Sequence, residues 1–319
     1  MKCLVSGATG FIGREVCRQL DDRGVSFVAL SRSGGFLAGV DNPTLPVDLA
    51  VEQVGEKQLS GVDVVFHLAG IAHQKAPASA YEQVNFRATL GLAAAAAVAG
   101  VKVFIYLSSV KAMGDPRGSE RRTEDNCTEP CDPYGLSKRQ SELELQAQYA
   151  DSPMSVVILR PALVYGAGVA GNFHLLSRAV RAGMPRPPEL GGRSMVARED
   201  LVNVMLALAA KPPGPGVKIW IVCDGNSYSA GCIYDLMRSA IGKPPTRSWL
   251  PAWVWRWGCA IRDFISRPGL ESTYSKVFGT ELYSSAALES ALSWRPRLAL
   301  GDCMPEIMSD GLQWDDSAK

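Results

Sequence analysis

The segment Gly7-Ala8-Thr9-Gly10-Phe11-Ile12-Gly13 constrains this chain more than any other. It follows an apolar run at residues 3–5 and opens a stretch of helical periodicity at residues 11–23. In such a turn Gly7 permits the tight bend, Gly10 lets backbone N–H groups approach a pyrophosphate, and Gly13 lets the helix lie against the strand. Three glycines in a loop carry little alone. After a strand and before an amphipathic helix, they and the intervening Phe11 and Ile12 predict a bound dinucleotide.

Further apolar runs at residues 26–30, 62–68, 101–107 and 155–159 alternate with helical stretches at residues 79–99 and 133–150. The strand candidates are almost continuously apolar, as strands of a parallel sheet covered on both faces are. Right-handed crossovers then give an α/β fold, a doubly wound parallel Rossmann sheet over residues 1–160. After Arg160 the pattern loosens, with Pro and Gly clusters at residues 184–192 and 211–216. Residues 161–319 are expected to form a smaller mixed α/β substrate lobe, interleaved with the last Rossmann elements. The Trp-rich stretch 249–265 is broken by Arg256, Arg262 and Asp263 and is too short to span a bilayer. It is expected to be a packed helix, the alternative being a helix lying on a membrane surface.

Charge narrows the partners. Lys and Arg number 33 against 32 Asp and Glu, a net charge of +1, which excludes nucleic-acid binding by bulk electrostatics and requires any anion site to be local. The 8 cysteines lie scattered along 319 residues, without a disulfide framework, and are expected to be free thiols. Cys127 and Cys131 lack zinc-site spacing, so no metal is expected. The glycine turn comes too early for a signal peptide before it, and a cytoplasmic location is expected.

The second run ends in Ser31-Arg32, where a ribose-binding carboxylate would stand in a site for NAD. A hydroxyl and a guanidinium suit a 2′-phosphate, so NADP(H) is expected to be preferred, with NAD(H) possible. Asp48-Leu49 follows another extended run, where the carboxylate can accept from an adenine amino group. Leu68-Ala69-Gly70 ends the next strand in small residues over which a cofactor can lie.

Asp132-Pro133-Tyr134 reads as a helix start, with Asp132 as N-cap. Tyr134 and Lys138 are then i and i+4 on one face. An ammonium near a phenol is expected to lower its pKa and ready it for proton exchange. Ser109 lies just past the run ending at Leu107, at the carboxyl edge where ligands of open α/β sheets bind. Ser109 is positioned to hydrogen-bond a reacting oxygen, Tyr134 to transfer the proton, and Lys138 to hold the nicotinamide ribose. Together they describe hydride transfer between a carbon bearing oxygen and a nicotinamide.

With the glycine turn, Ser108-Ser109, Tyr134-Gly135-Leu136-Ser137-Lys138 and Arg160-Pro161 in order, the chain resembles the extended short-chain dehydrogenases/reductases. It is similar to their nucleotide-sugar epimerase, dehydratase and reductase branch. Residues 193–202 and 292–296 extend the likeness along the chain. The resemblance implies Ser109, Tyr134 and Lys138 as catalytic triad and Asn85 as a supporting polar residue at the substrate. It puts Asn172 and Arg193 on the substrate diphosphate, with Arg262 or Arg267 as candidates for a second arginine. It also implies a homodimer through the helices at 79–99 and 133–150.

Two departures matter. Met113 replaces an aromatic residue near the substrate sugar, and Lys111 is added beside it. No Asp-Glu pair follows Ser109, which disfavours a dehydratase. Between the remaining reactions, Arg32 favours a reductase that releases NADP⁺ over an epimerase that retains NAD. The expected substrate is a UDP-linked, N-acetylated 4-keto-6-deoxyhexose of surface-polysaccharide (O-antigen) synthesis. The alternatives are a UDP-sugar 4-epimerase and a non-catalytic dinucleotide-binding subunit.

Overall fold

Successive residues of the central strands point to opposite faces, and each face has its own helical cover. In the computed structural model, which describes residues 1–72, 76–116, 118–169, 172–266 and 272–310, the strands are β1 (Lys2–Ser6), β2 (Ser26–Ser31), β3 (Gly35–Leu37), β4 (Val40–Pro46), β5 (Val64–His67), β6 (Val103–Leu107) and β7 (Ser155–Pro161). Beyond them lie β8 (Leu163–Tyr165), β9 (Gly192–Arg193), β10 (Met195–Ala197), β11 (Gly216–Val222) and β12 (Thr280–Glu281). The main sheet has eight strands in the order β11-β7-β6-β5-β1-β2-β4-β3. All of its pairings are parallel except β3 with β4, a short hairpin that the apolar pattern did not announce.

The helices are α1 (Phe11–Asp22), α2 (Glu56–Leu59), α3 (Ala78–Tyr81), α4 (Ala88–Val98), α5 (Pro133–Tyr149), α6 (Asn172–Arg181), α7 (Arg198–Ala210), α8 (Ala230–Ala240), α9 (Ala252–Ser266), α10 (Thr273–Phe278), α11 (Ala286–Leu292) and α12 (Leu300–Asp310). On one face of the sheet, Cys3, Val5, Phe66, Ile105 and Leu159 pack against α1 and α7. On the other, Leu4, Val65, Phe104, Tyr106 and Ile158 pack against α4 and α5. The alanines of α4 allow close approach: Ala93 and Ala96 are fully buried against the sheet. A third core, with Tyr165, Met195, Tyr228, Tyr234, Leu300 and Met304, joins α6, α8 and α12 beyond the carboxyl end of the sheet.

The chain leaves β1 toward β2 and β4, then returns to β5 on the other side of β1. That reversal opens the crevice in which ligands of doubly wound sheets bind. Residues 79–99 are not one regular helix. Between α3 and α4 the backbone widens into a π-helical stretch, Glu82–Arg87, which carries Asn85. The Trp-rich segment also departs from expectation: α9 forms, but Trp253, Trp257 and Phe264 are solvent-exposed instead of packed. Among the described residues, no helix is long and apolar enough to cross a membrane.

Candidate active site

The glycine turn is enforced sterically. Gly7 has φ +70°, and a methyl group on it would stand 2.7 Å from the backbone nitrogen of Ala69, at the end of β5. A methyl on Gly13 would lie 2.2 Å from the Gly7 carbonyl oxygen, so only glycine lets α1 sit this close to β1. Gly10 is the N-cap of α1 in extended backbone, with Phe11 and Ile12 opening the helix. The carboxyl ends of β1 and β5 therefore meet as a bare backbone cradle beside a helix N-terminus, which fits a dinucleotide pyrophosphate.

Leu68, Ala69 and Gly70 are fixed by a buried network that sequence reasoning missed. The Ser6 hydroxyl accepts from the backbone N–H groups of Leu68 and Ala69 at 3.2 and 3.3 Å and pairs with His67 Nδ1 at 2.7 Å. His67 Nε2 pairs with the Thr89 hydroxyl at 2.8 Å, and that hydroxyl donates to the Asn85 carbonyl at 2.6 Å. Since Thr89 spends its proton on Asn85, it accepts from His67, which fixes the Nε2–H tautomer. Burial, and secondarily the nearby Lys138, hold the imidazole pKa down to about 3, so His67 is a neutral strut.

Asn85 is completely buried. Its Oδ1 accepts from the N–H of Ile71 at 2.7 Å, and its Nδ2 donates to the Ile71 carbonyl and to Ser137 Oγ, both at 3.0 Å. Its polar atoms thus brace the loop after Gly70 against α5.

α5 begins as its cap predicts, with Asp132 Oδ1 accepting from Gly135 N–H at 2.9 Å. Ser109, just past β6, accepts from Lys111 N–H at 3.1 Å and caps the short turn Val110–Met113. Tyr134 and Ser109 meet: their side-chain hydrogen bond favours the phenolate, yet burial outweighs it and pushes the phenol up to about 12. The expected lowering by Lys138 is corrected here. The lysine Nζ is drawn to the Leu107 carbonyl at 2.8 Å and lies 4.6 Å from the centre of the Tyr106 ring. Burial brings its own pKa down to about 7, with Glu142 opposing. A methyl on Gly70 would stand 3.4 Å from that Nζ, so the end of β5, Ser109, Tyr134 and Lys138 occupy one locality.

Beneath them lies a second unpredicted network. Glu142, one turn beyond Lys138 on α5, accepts from Ser108 Oγ at 2.6 Å and from Arg160 Nε and Nη2 at 2.9 and 2.7 Å. Arg160 and Glu142 are buried, so this bidentate pair ties α5 to β7 and to the Ser108–Ser109 step. Its signal was present: Tyr134, Lys138 and Glu142 follow i, i+4, i+8.

At the end of β2, Ser31 is buried and its hydroxyl pairs with Thr44 Oγ1 of β4 at 2.9 Å. Arg32 is exposed and makes no hydrogen bond or ion pair among the described residues. Asp48 Oδ1 accepts from the Ala50 N–H at 3.0 Å, closing a turn, while Leu49 is half-buried behind it.

On the lobe side, Lys111 Nζ and Arg193 Nη1 converge on Glu281 Oε1 at 3.3 and 3.2 Å. The two cations hold that carboxyl below its usual range, although burial, the largest influence, opposes them. Arg193 Nη2 also donates to the Ser275 carbonyl in α10 at 3.0 Å, while its Nε is buried without a partner. Glu281 lies in a two-residue strand and had no sequence signal. Asn172 opens α6, but its side chain and all of Arg267 lie outside the described residues. Arg262 is exposed on α9, and Met113 is completely buried in a small core with Ala162, Ile221 and Tyr283.

This arrangement has known counterparts. The pattern of the NAD dependent epimerase/dehydratase family matches residues 3–223. The chain belongs to that family. It is 31% identical to a UDP-glucose 4-epimerase of Vibrio cholerae, across 97% of this chain and 93% of the relative. A UDP-2-acetamido-2,6-beta-L-arabino-hexul-4-ose reductase of Pseudomonas aeruginosa is 31% identical over 54% of this chain and 38% of its own length. Among solved structures, UDP-glucuronic acid 4-epimerase from Bacillus cereus in complex with NAD superposes with a TM-score of 0.77 at 20% identity, covering 98% of this chain and 97% of that one. The family includes NAD-dependent epimerases and reductases that act on nucleotide sugars.

Proposed function

We propose that this chain reduces the 4-keto group of a UDP-linked, N-acetylated 4-keto-6-deoxyhexose, with NADPH as reductant. The observation that carries the reading is the convergence of Ser109, Tyr134 and Lys138 beside the glycine cradle at the carboxyl edge of β6. When bound, the nicotinamide supplies the hydride to the sugar carbonyl carbon. Ser109 hydrogen-bonds the carbonyl oxygen, and Tyr134 passes its phenolic proton to that oxygen as it becomes a hydroxyl. Lys138 holds the nicotinamide ribose. Burial keeps the Tyr134 phenol protonated at neutral pH, the form that can donate to an oxygen as it becomes a hydroxyl.

Arg32 supports NADPH over NADH, since it follows β2 directly, in place of the carboxylate of an NAD site, and makes no hydrogen bond or ion pair among the described residues. Gly7, Gly10, Phe11, Ile12, Gly13, Asp48, Leu49, Leu68, Ala69 and Gly70 form the rest of the cofactor site in this reading. The same reading assigns Arg193, Lys111 and Asn172 to the diphosphate and sugar. The enzyme would work in the cytoplasm as a homodimer through α4 and α5, in surface-polysaccharide synthesis.

The second reading is a UDP-sugar 4-epimerase, favoured by the Vibrio cholerae relative, which matches along nearly its whole length. Incubation with the UDP-4-keto-6-deoxy sugar and NADPH decides between them. The reductase consumes one NADPH per sugar. Interconversion of UDP-glucose or UDP-N-acetylglucosamine with its C4 epimer, without net cofactor consumption, would overturn it.

A further inference from the structure

α9 is amphipathic in an unusual sense, because its apolar face is turned outward. Trp253, Trp257, Ile261, Phe264 and Ile265 recur at helical spacing on the exposed side, with Trp249 just before the helix; Phe264 is 88% exposed and Trp249 73%. The opposite face is already occupied. Trp255 packs edge-on against Phe278 of α10, with ring centres 6.2 Å apart, and Asp263 accepts from the backbone N–H and hydroxyl of Thr273. The helix is therefore seated on the molecule through one side and leaves the other bare. Soluble monomers rarely expose such a patch without a use for it.

Charge selects the occupant. The chain as a whole carries a net charge of +1, yet residues 236–262 contain Arg238, Lys243, Arg247, Arg256 and Arg262 and no Asp or Glu. Lys243, Arg247, Arg256 and Arg262 are exposed. Asp263, the one acid in α9, is turned to Thr273, whose hydrogen bonds keep its carboxyl below the usual range. At 15 residues, or about 22 Å, the helix is too short to cross a bilayer but long enough to lie along one. Exposed tryptophans flanked by arginines on such a helix match the headgroup layer of an anionic membrane, where indole rings and cations both find partners.

We propose that α9 is a peripheral docking helix that seats this protein on an anionic lipid surface. The inference goes beyond the catalytic reading and needs neither substrate nor cofactor. α9 is nonetheless tied to the candidate anion site: Asp263 holds Thr273 at the start of α10, and Ser275 of the same helix accepts from Arg193.

The test is co-sedimentation of the full chain with phosphatidylcholine vesicles, with and without phosphatidylglycerol, while tryptophan emission is followed. The wild type is expected to sediment with the phosphatidylglycerol vesicles, with a blue-shifted emission. A Trp253→Ser, Trp257→Ser, Phe264→Ser variant should remain in the supernatant with unchanged circular dichroism and NADPH binding. The pair Arg256→Gln and Arg262→Gln should lower partitioning roughly twenty-five-fold, about fivefold per cation, and only on the anionic vesicles. Absence of wild-type binding to either vesicle overturns the proposal. So does a doubling of solution mass that the triple variant abolishes while vesicles bind neither protein, which would assign the stripe to a second copy of this chain.

Discussion

The two sides of the candidate site are built differently. The sheet side hangs on strand ends and on the first turns of α1 and α5, where backbone contacts leave no freedom: a methyl on Gly13 would come within 2.2 Å of the Gly7 oxygen. The lobe side hangs on ion pairs between short elements, with Lys111 and Arg193 sharing Glu281 across a two-residue strand. The first is rigid and generic, as a cofactor common to many enzymes requires. The second is charge-balanced and adjustable, suited to a substrate that differs among relatives.

If the contrast is sound, substitutions on the sheet side act through folding and chemistry and those on the lobe side through affinity. Gly13→Val should have the largest effect, removing dinucleotide binding and lowering Tm by ~10 °C or more, measured by cofactor titration and thermal melting. Retention of full cofactor affinity would show the cradle to be softer than the backbone contacts imply.

Lys138→Met separates chemistry from stability. Turnover should fall by about 10²–10⁴-fold, whereas stability should rise, and rise more at pH 6 than at pH 9. The sign follows from linkage. Burial lowers the lysine pKa from 10.5 to about 7, so below that value the folded protein carries a poorly solvated charge. Between about 7 and 10.5 the unfolded chain binds the extra proton, so in the wild type the penalty this group puts on the folded state shrinks as pH rises. Denaturant melts of both proteins across this range check it, and a stabilisation independent of pH would contradict the assignment.

Lobe-side effects should be smaller. Arg193→Ala is expected to weaken UDP binding about tenfold, and Glu281→Gln to tighten it severalfold by removing the anion that competes for the two cations. Calorimetry reads both, and equal weakening by the two variants would mean that Glu281 orients Arg193 more than it competes with the ligand. The smallest change expected lies on the sheet side, at its adenosine end: in Arg32→Ala, whose charge is exposed and screened, KM for NADPH should rise about twofold with KM for NADH little altered. An equal change for both cofactors would remove Arg32 from the 2′-phosphate.

The same contrast explains what was legible in the sequence. The glycine turn, the capped start of α5 and the i, i+4 pair Tyr134 and Lys138 are local patterns, and the alternation of apolar runs determines strand order through handedness and crossover rules. Asn85 was found by its position in the chain, but its hydrogen bonds to Ile71 were not, because the π-helical stretch that carries it leaves no mark in composition. Glu281 and the His67 relay depend on contacts between residues far apart in sequence, as does the pairing of Ser31 with Thr44 of β4. The pKa of Tyr134 was misjudged because burial, which helical spacing does not report, raises it more than the hydrogen bond to Ser109 lowers it, while the Lys138 ammonium turns to a carbonyl on β6.

The central claim is that the Tyr134 phenol delivers the proton that accompanies hydride transfer. Single-turnover oxidation of bound NADPH by the UDP-4-keto-6-deoxy sugar, compared between wild type and Tyr134→Phe, tests it most directly. The account predicts a rate loss of about 10²–10⁴-fold with cofactor and sugar affinities preserved. An unchanged rate in the phenylalanine variant would contradict it.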